Sequence, residues 1–196
     1  PKIVGLPNPR AVPDNFKPVY YVCYGGRVAA IDIDSAIKYV VDTIKSRALK
    51  AEGVCDCPRG VEIFQQEKLG NEQFLLEFRE INKAPHMVVK LRDDQGTIQR
   101  LIGRPNSPYR RDLAAINPDA QYARFLVWPD SHEVYIAARK ECEEANVPAG
   151  WQPMGPKDEW ILNLQGYFQC EGYVPPPPAP PPPPGKKPAP PPDTVD

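Results

Sequence analysis

Only two histidines occur in these 196 residues, neither sign of charge is in excess, and no apolar run approaches the ~18 residues that a membrane helix needs. Each shortage removes a class of function. With 24 basic and 25 acidic side chains the formal net charge is -1, so no overall field draws nucleic acid or an anionic membrane surface. The basic pairs in Tyr109–Asp112 (YRRD) and Gly185–Lys187 (GKK) are short and lack the aromatic interleaving of a base-stacking surface. VYYVCY from Val19 and FLVW from Phe125 are strand-sized, so direct membrane insertion by these residues is not expected. There is no G-x-S-x-G nucleophile motif and no G-x-x-x-x-G-K-S/T phosphate loop, and Gly25-Gly26 joins strand to strand rather than strand to helix.

Proline is abundant instead. About half of the chain's 27 prolines lie beyond Val174, in VPPPPAPPPPPGKKPAPPPDTVD, where missing amide hydrogens and a fixed φ bar both sheet and helix. Residues 174–196 are therefore expected to be a disordered, extended tail, either a semi-rigid spacer or a ligand for SH3-like or WW-like aromatic grooves. Residues 1–18 are also proline-punctuated and read as a lead-in or linker. The chain starts at Pro1, so it reads as a processed or excised piece whose anchor or leader would lie elsewhere. Residues 19–173 remain as a single folded body, large enough to bury a core.

Within that body, Val19–Tyr24 and Arg27–Asp32 flank Gly25-Gly26 and read as a β-hairpin. Ile37, Val40, Val41, Ile44 and Ala48 recur at helical spacing, with Asp34 or Ser35 as cap, which predicts a helix over about residues 35–49. VEIFQQ, QFLLEFREI and HMVVKLRD then read as an antiparallel meander. Ser107 and Pro108 open a short helix. YARFLVW is a strand stopped by Pro129, and Asp130 with Glu133 forms a capping-box pattern ahead of a helix to about Ala145, which Asn146 and Pro148 close. One or two strands follow, in AGWQPM and EWILNLQGYFQC. The mixed order implies an α+β fold: a mixed or antiparallel sheet covered by two main helices, with an inserted meander.

Candidate chemistry is sparse. His132 titrates near neutral pH and has Asp130 beside it, yet no nucleophile is tied to it by a known motif; an enzyme here would need a pocket around His132, Asp130 and a cysteine. His86 stands alone. Pro129-Asp130 lacks the acid-x-Lys on a following strand that a metal-dependent nuclease requires. Glu77 and Glu80, with Arg79 between them, read as a solvated strand face. Trp128, Trp151 and Trp160, with Tyr20, Tyr21 and Tyr24, read as core before ligand patch. Five cysteines leave at least one unpaired. Cys142 reads as a small core residue on a helix face with Val134, Ala138 and Ala145, whereas Cys55 and Cys57 sit in a loop as Cys-Asp-Cys. That pair is open to three readings: half a metal site, a disulfide to Cys23 or Cys170, or unpaired thiols, the last being the simplest. No catalytic, cofactor-binding or metal-binding residue and no cofactor is assigned on this basis.

The hairpin and amphipathic helix, with FLVWPD, the helix SHEVYIAARKECEEA and a following NV, resemble the soluble domain of the ExbD/TolR biopolymer-transport family and related bacterial C-terminal domains. The resemblance covers about sixty residues in two pieces. NV stands where the family has Gly-Val, Lys50 to Asn117 exceeds the family's connector, and the transmembrane aspartate has no counterpart, so no site residue carries over. The resemblance implies a non-catalytic interaction or structural module of a membrane-tethered or cell-envelope protein, in the periplasm or envelope, with a protein partner or self-association; the cytoplasm stays open as the alternative.

Overall fold

The computed structural model describes residues 15–174, so most of the lead-in and the proline tail lie outside the described residues. Lys17–Tyr24 (β1) and Arg27–Ile31 (β2) form the expected antiparallel hairpin, with Tyr24 opposite Arg27. Gly25 and Gly26 have φ of 61° and 68°, the two positive values that a two-residue turn of this hand demands. Ile33–Arg47 (α1) follows. Its cap is Asp32, whose carboxylate accepts a hydrogen bond from Ser35 N at 3.1 Å; the expected caps Asp34 and Ser35 lie inside the first turn.

Leu49–Ala51 (β3) and Val54–Cys55 (β4) lead to Cys57–Glu67 (α2), and here the expectation fails. VEIFQQ is helical rather than a strand. Asp56 caps the helix by accepting from Arg59 N at 3.1 Å, Pro58 sits in the first turn, and the buried Cys57, Gly60, Ile63 and Phe64 fall at helical spacing. Its β-branched residues are outweighed by a good start and one apolar face. The meander reduces to the hairpin of Phe74–Ile81 (β5) and Ala84–Leu91 (β6), turned by Asn82 and Lys83 at φ 52° and 61°.

Thr97–Ile98 (β7) precedes Pro108–Ala114 (α3), where Ser107 Oγ accepts from Arg110 N at 3.1 Å as expected. Gln121–Val127 (β8) runs into His132–Glu144 (α4), followed by Ala149–Pro153 (β9), Trp160–Asn163 (β10) and Gln169–Cys170 (β11). The capping box is not made. Asp130 and Ser131 lie in a tight turn before α4, and their side chains bond to the β1–β2 turn instead.

The strands form three sheets: a mixed five-stranded sheet ordered β7-β2-β1-β8-β9, a three-stranded β10-β6-β5 and a small β11-β4-β3. The pairs β1–β8 and β8–β9 are parallel, while β2–β1 and β7–β2 are antiparallel. Strand alternation then divides the core. Tyr21, Cys23, Phe125 and Val127 face α3 and α4, with Tyr109, Leu113, Val134, Ala138 and Cys142. Val22, Leu126 and Trp128 face the other way and join α1, α2 and the second sheet through Ile44, Phe64, Phe78 and Met87. The class is α+β, with the five-stranded sheet as a partition between two apolar layers.

Candidate functional site

A cleft of about 740 Å³ opens where the five-stranded sheet meets the second sheet. Strand alternation on β1 turns Val22 and Tyr24 toward it, β8 delivers Trp128 at its end, and α2 contributes Phe64 and Lys68 from its last turn. Leu75, Glu77, Val89 and Lys90 come from β5 and β6, and the segment 156–160 closes the far wall. That segment is pinned in place: Trp128 Nε1 donates to Asp158 O at 3.0 Å, and Gly155 N donates to the Asp158 carboxylate at 2.6 Å. The aromatic frame is tight, with Tyr24 edge-on to Trp128 at 5.6 Å and Tyr20 against Trp160 at 5.1 Å. Trp128 and Trp160 are buried, as a core reading expects, and also line the cleft; Tyr24 is 45% exposed at the rim.

Glu77, Lys90 and Glu159 on the walls are paired with one another. Lys90 Nζ donates to Glu77 at 2.7 Å and lies 3.2 Å from Glu159, while Arg79 donates to Glu77 at 3.1 Å and to Glu159 at 2.9 Å. Hydrogen bonding from Arg79 holds the Glu159 carboxyl below its ordinary value, against a smaller opposing effect of burial. Burial works to raise Glu77, and the hydrogen bonds from Lys90 and Arg79 outweigh it, leaving that carboxyl lowered too. Arg79 is raised, chiefly by its bond to Glu159. Both carboxylates are thus ionised acceptors held by fixed cations. Glu77 is half-buried in this network rather than on a solvated face, which its neighbours in sequence could not show because Lys90 arrives from β6 and Glu159 from the segment before β10.

The acid–base candidates from sequence, Asp130, His132 and His86, lie elsewhere. Asp130 accepts from Gly25 N at 3.2 Å and Ser131 Oγ accepts from Gly26 N at 3.0 Å, so the pair clasps the hairpin turn. His132 is exposed, with Nδ1 3.1 Å from Pro129 O and its ring edge-on to Trp151 at 6.2 Å. Neither Asp130 nor His132 lines the cleft. His86 Nδ1 lies 2.9 Å from Ala84 O on β6.

The cysteines are corrected in part. Cys57 and Cys170 form a disulfide with Cα atoms 5.6 Å apart, so the unpaired reading fails for these two and holds for the buried Cys23, Cys55 and Cys142. Cys142 packs on Val134 and Ala138 as expected, although Ala145 is exposed. The Cys55 sulfur is 3.2 Å from that of Cys57, and the sulfurs of Cys55, Cys57 and Cys170 all lie within 4.8 Å of one another. Three thiolates at that spacing suit a soft metal, but two are tied in the disulfide and would be free to ligate only after its reduction. No helix among the described residues is long and apolar enough to cross a membrane. No family model, curated protein or solved structure matches this chain.

Proposed function

We propose that this chain is a non-catalytic interaction module of a membrane-tethered or cell-envelope protein, and that its cleft receives an extended segment of a protein partner. The cleft is the observation that carries this reading. Its lining includes the apolar Val22, Phe64, Val89 and Trp128, and Glu77, Lys90 and Glu159 on its wall are paired with one another. A ligand charge placed at Glu77, Lys90 or Glu159 would have to break those pairs. An extended peptide needs no such break, since it offers apolar side chains to the floor and backbone groups to the walls. β10, which begins at the cleft wall with Trp160, is an edge of its sheet, so a segment leaving the cleft meets backbone groups available for strand addition. The Cys57–Cys170 disulfide favours an oxidising compartment, which agrees with the envelope setting implied by the resemblance in FLVWPD and the helix after it.

The test is to select peptides on the intact protein from a random display library and measure their affinity for two variants. Tyr24→Ala removes the exposed aromatic at the cleft rim and is expected to weaken binding by about tenfold or more. Tyr39→Ala removes a comparably exposed tyrosine from α1 and is expected to change nothing. Selected peptides that bind Tyr24→Ala as tightly as the parent would overturn the reading.

A further inference from the structure

Cys55 does not stand apart from the disulfide beside it. Its sulfur rests 3.2 Å from Cys57 Sγ, and its S–H is within reach of Gln169 O at 3.3 Å. The local fold fixes all three sulfurs. Cys55 and Cys170 are register partners in the parallel β4–β11 pair, and Cys57 opens α2 directly after its Asp56 cap. A thiol in van der Waals contact with one sulfur of a disulfide is the arrangement from which thiol–disulfide exchange proceeds.

We propose that Cys55, Cys57 and Cys170 form an intramolecular thiol–disulfide exchange site, in which Cys55 displaces Cys170 from Cys57. In the step, Cys55 gives its S–H proton to solvent, and its sulfur bonds to Cys57 Sγ. The bond from Cys57 to Cys170 breaks, its electron pair stays on Cys170 Sγ, and that sulfur takes up a proton. One disulfide replaces another, so no outside oxidant or reductant is consumed. The consequence is mechanical: the covalent tie moves off Cys170, and β11 then depends on its two-residue pairing with β4 and on the buried Phe168. Residues 171–196 follow directly, so the exchange decides whether the C-terminal part of the chain is covalently fastened next to α2.

Burial pushes the Cys55 thiol up to about 11, so the attacking thiolate is scarce and the step is slow until the small β11-β4-β3 sheet opens. Buried position also protects the site from outside thiols, since Cys55, Cys57 and Cys170 are 0%, 1% and 3% exposed. The exchange needs no outside thiol, because the attacking sulfur already lies 3.2 Å from Cys57 Sγ in the same chain.

Trypsin reads the two states directly. Cleavage after Lys50 and Arg59 places Cys55 and Cys57 on one peptide and Cys170 on another. The full chain is held oxidised at mildly alkaline pH, quenched in acid, alkylated in denaturant and digested without reduction. The expected result is a fraction of peptide 51–59 released with an internal disulfide, together with alkylated Cys170. That fraction should exceed by about tenfold the Cys170 alkylation in Cys55→Ser and Cys55→Ala, which cannot exchange. If Cys170 alkylation in the parent equals that in both variants, or if the internal 51–59 disulfide is absent while Cys57 stays joined to Cys170, the proposal is overturned.

Discussion

Two tyrosines in contact should respond to the same substitution with opposite signs. Tyr21 and Tyr109 have ring centroids 5.4 Å apart in the layer beneath α3 and α4, and both are essentially without exposure. Tyr109 donates its hydroxyl to Ala138 O at 2.7 Å and lies 3.3 Å from Cys142 Sγ. The Tyr21 hydroxyl is buried with no hydrogen-bond partner among the described residues, and burial raises that phenol well above its ordinary value. Phenylalanine keeps the ring and its stacking on Phe125 at 5.0 Å while deleting only the oxygen. An unpaired buried hydroxyl costs about 1–3 kcal/mol and a satisfied one contributes about 1 kcal/mol. Tyr21→Phe should therefore raise stability by about 1 kcal/mol, and Tyr109→Phe should lower it by about the same. In a body of this size the two melting temperatures should differ by about 4–8 °C. Urea unfolding followed by circular dichroism gives both values, and two changes of the same sign would refute the reasoning.

Gly60→Ala sets a helix-propensity gain of about 1 kcal/mol against overpacking of about 1–3 kcal/mol, because the added methyl meets Ile44 Cδ1 at 2.7 Å and Phe78 at 2.9 Å. Both neighbours are buried, so a net loss of about 1 kcal/mol is expected in chemical denaturation, and a gain would contradict the packing described. Ser131→Ala removes the acceptor for Gly26 N and should cost about 1–2 kcal/mol, whereas His132→Ala should stay within about 0.5 kcal/mol, both read from urea midpoints. Glu77 and Glu159 have lowered folded values, so their contribution is complete above the ordinary glutamate value of 4.5 and is lost as pH falls below it through the folded values. Stability measured against pH should decline in that acid range, and less steeply in an Arg79→Met, Lys90→Met double variant.

Local signals reached much of the fold. Two glycines between β-rich runs marked the β1–β2 turn, Ser107 and Pro108 marked α3, and Pro129 marked the end of β8. The failures have a common cause. VEIFQQ reads as a strand for its β-branched residues, and Asp56 with an apolar face through Ile63 and Phe64 decided for a helix. Asp130 carried a cap pattern, but the hairpin turn brought two unbonded amides to it from 105 residues away, and those took the carboxylate and its neighbour's hydroxyl. Trp128, Trp160, Tyr24 and Glu77 were visible as residues, read as core or a solvated face first, but their assembly into one cleft was not legible. Lys90, Glu77 and Glu159 meet only because β10 pairs with β6, and Tyr24 meets Trp128 only because β1 and β8 are parallel neighbours. Cys57 and Cys170, 113 residues apart, meet through a two-residue strand that has no periodicity to read.

The three tryptophans provide their own control for the cleft. Trp128 and Trp160 line it, whereas Trp151 stacks on Tyr135 at 5.4 Å in the layer of α4, on the other side of the five-stranded sheet. Each indole gives one N–H signal in a nitrogen–proton correlation spectrum. Titrating a selected peptide into the intact protein should move the Trp128 and Trp160 signals and leave Trp151 in place. Movement of Trp151 with the other two unmoved would contradict the cleft as the binding site.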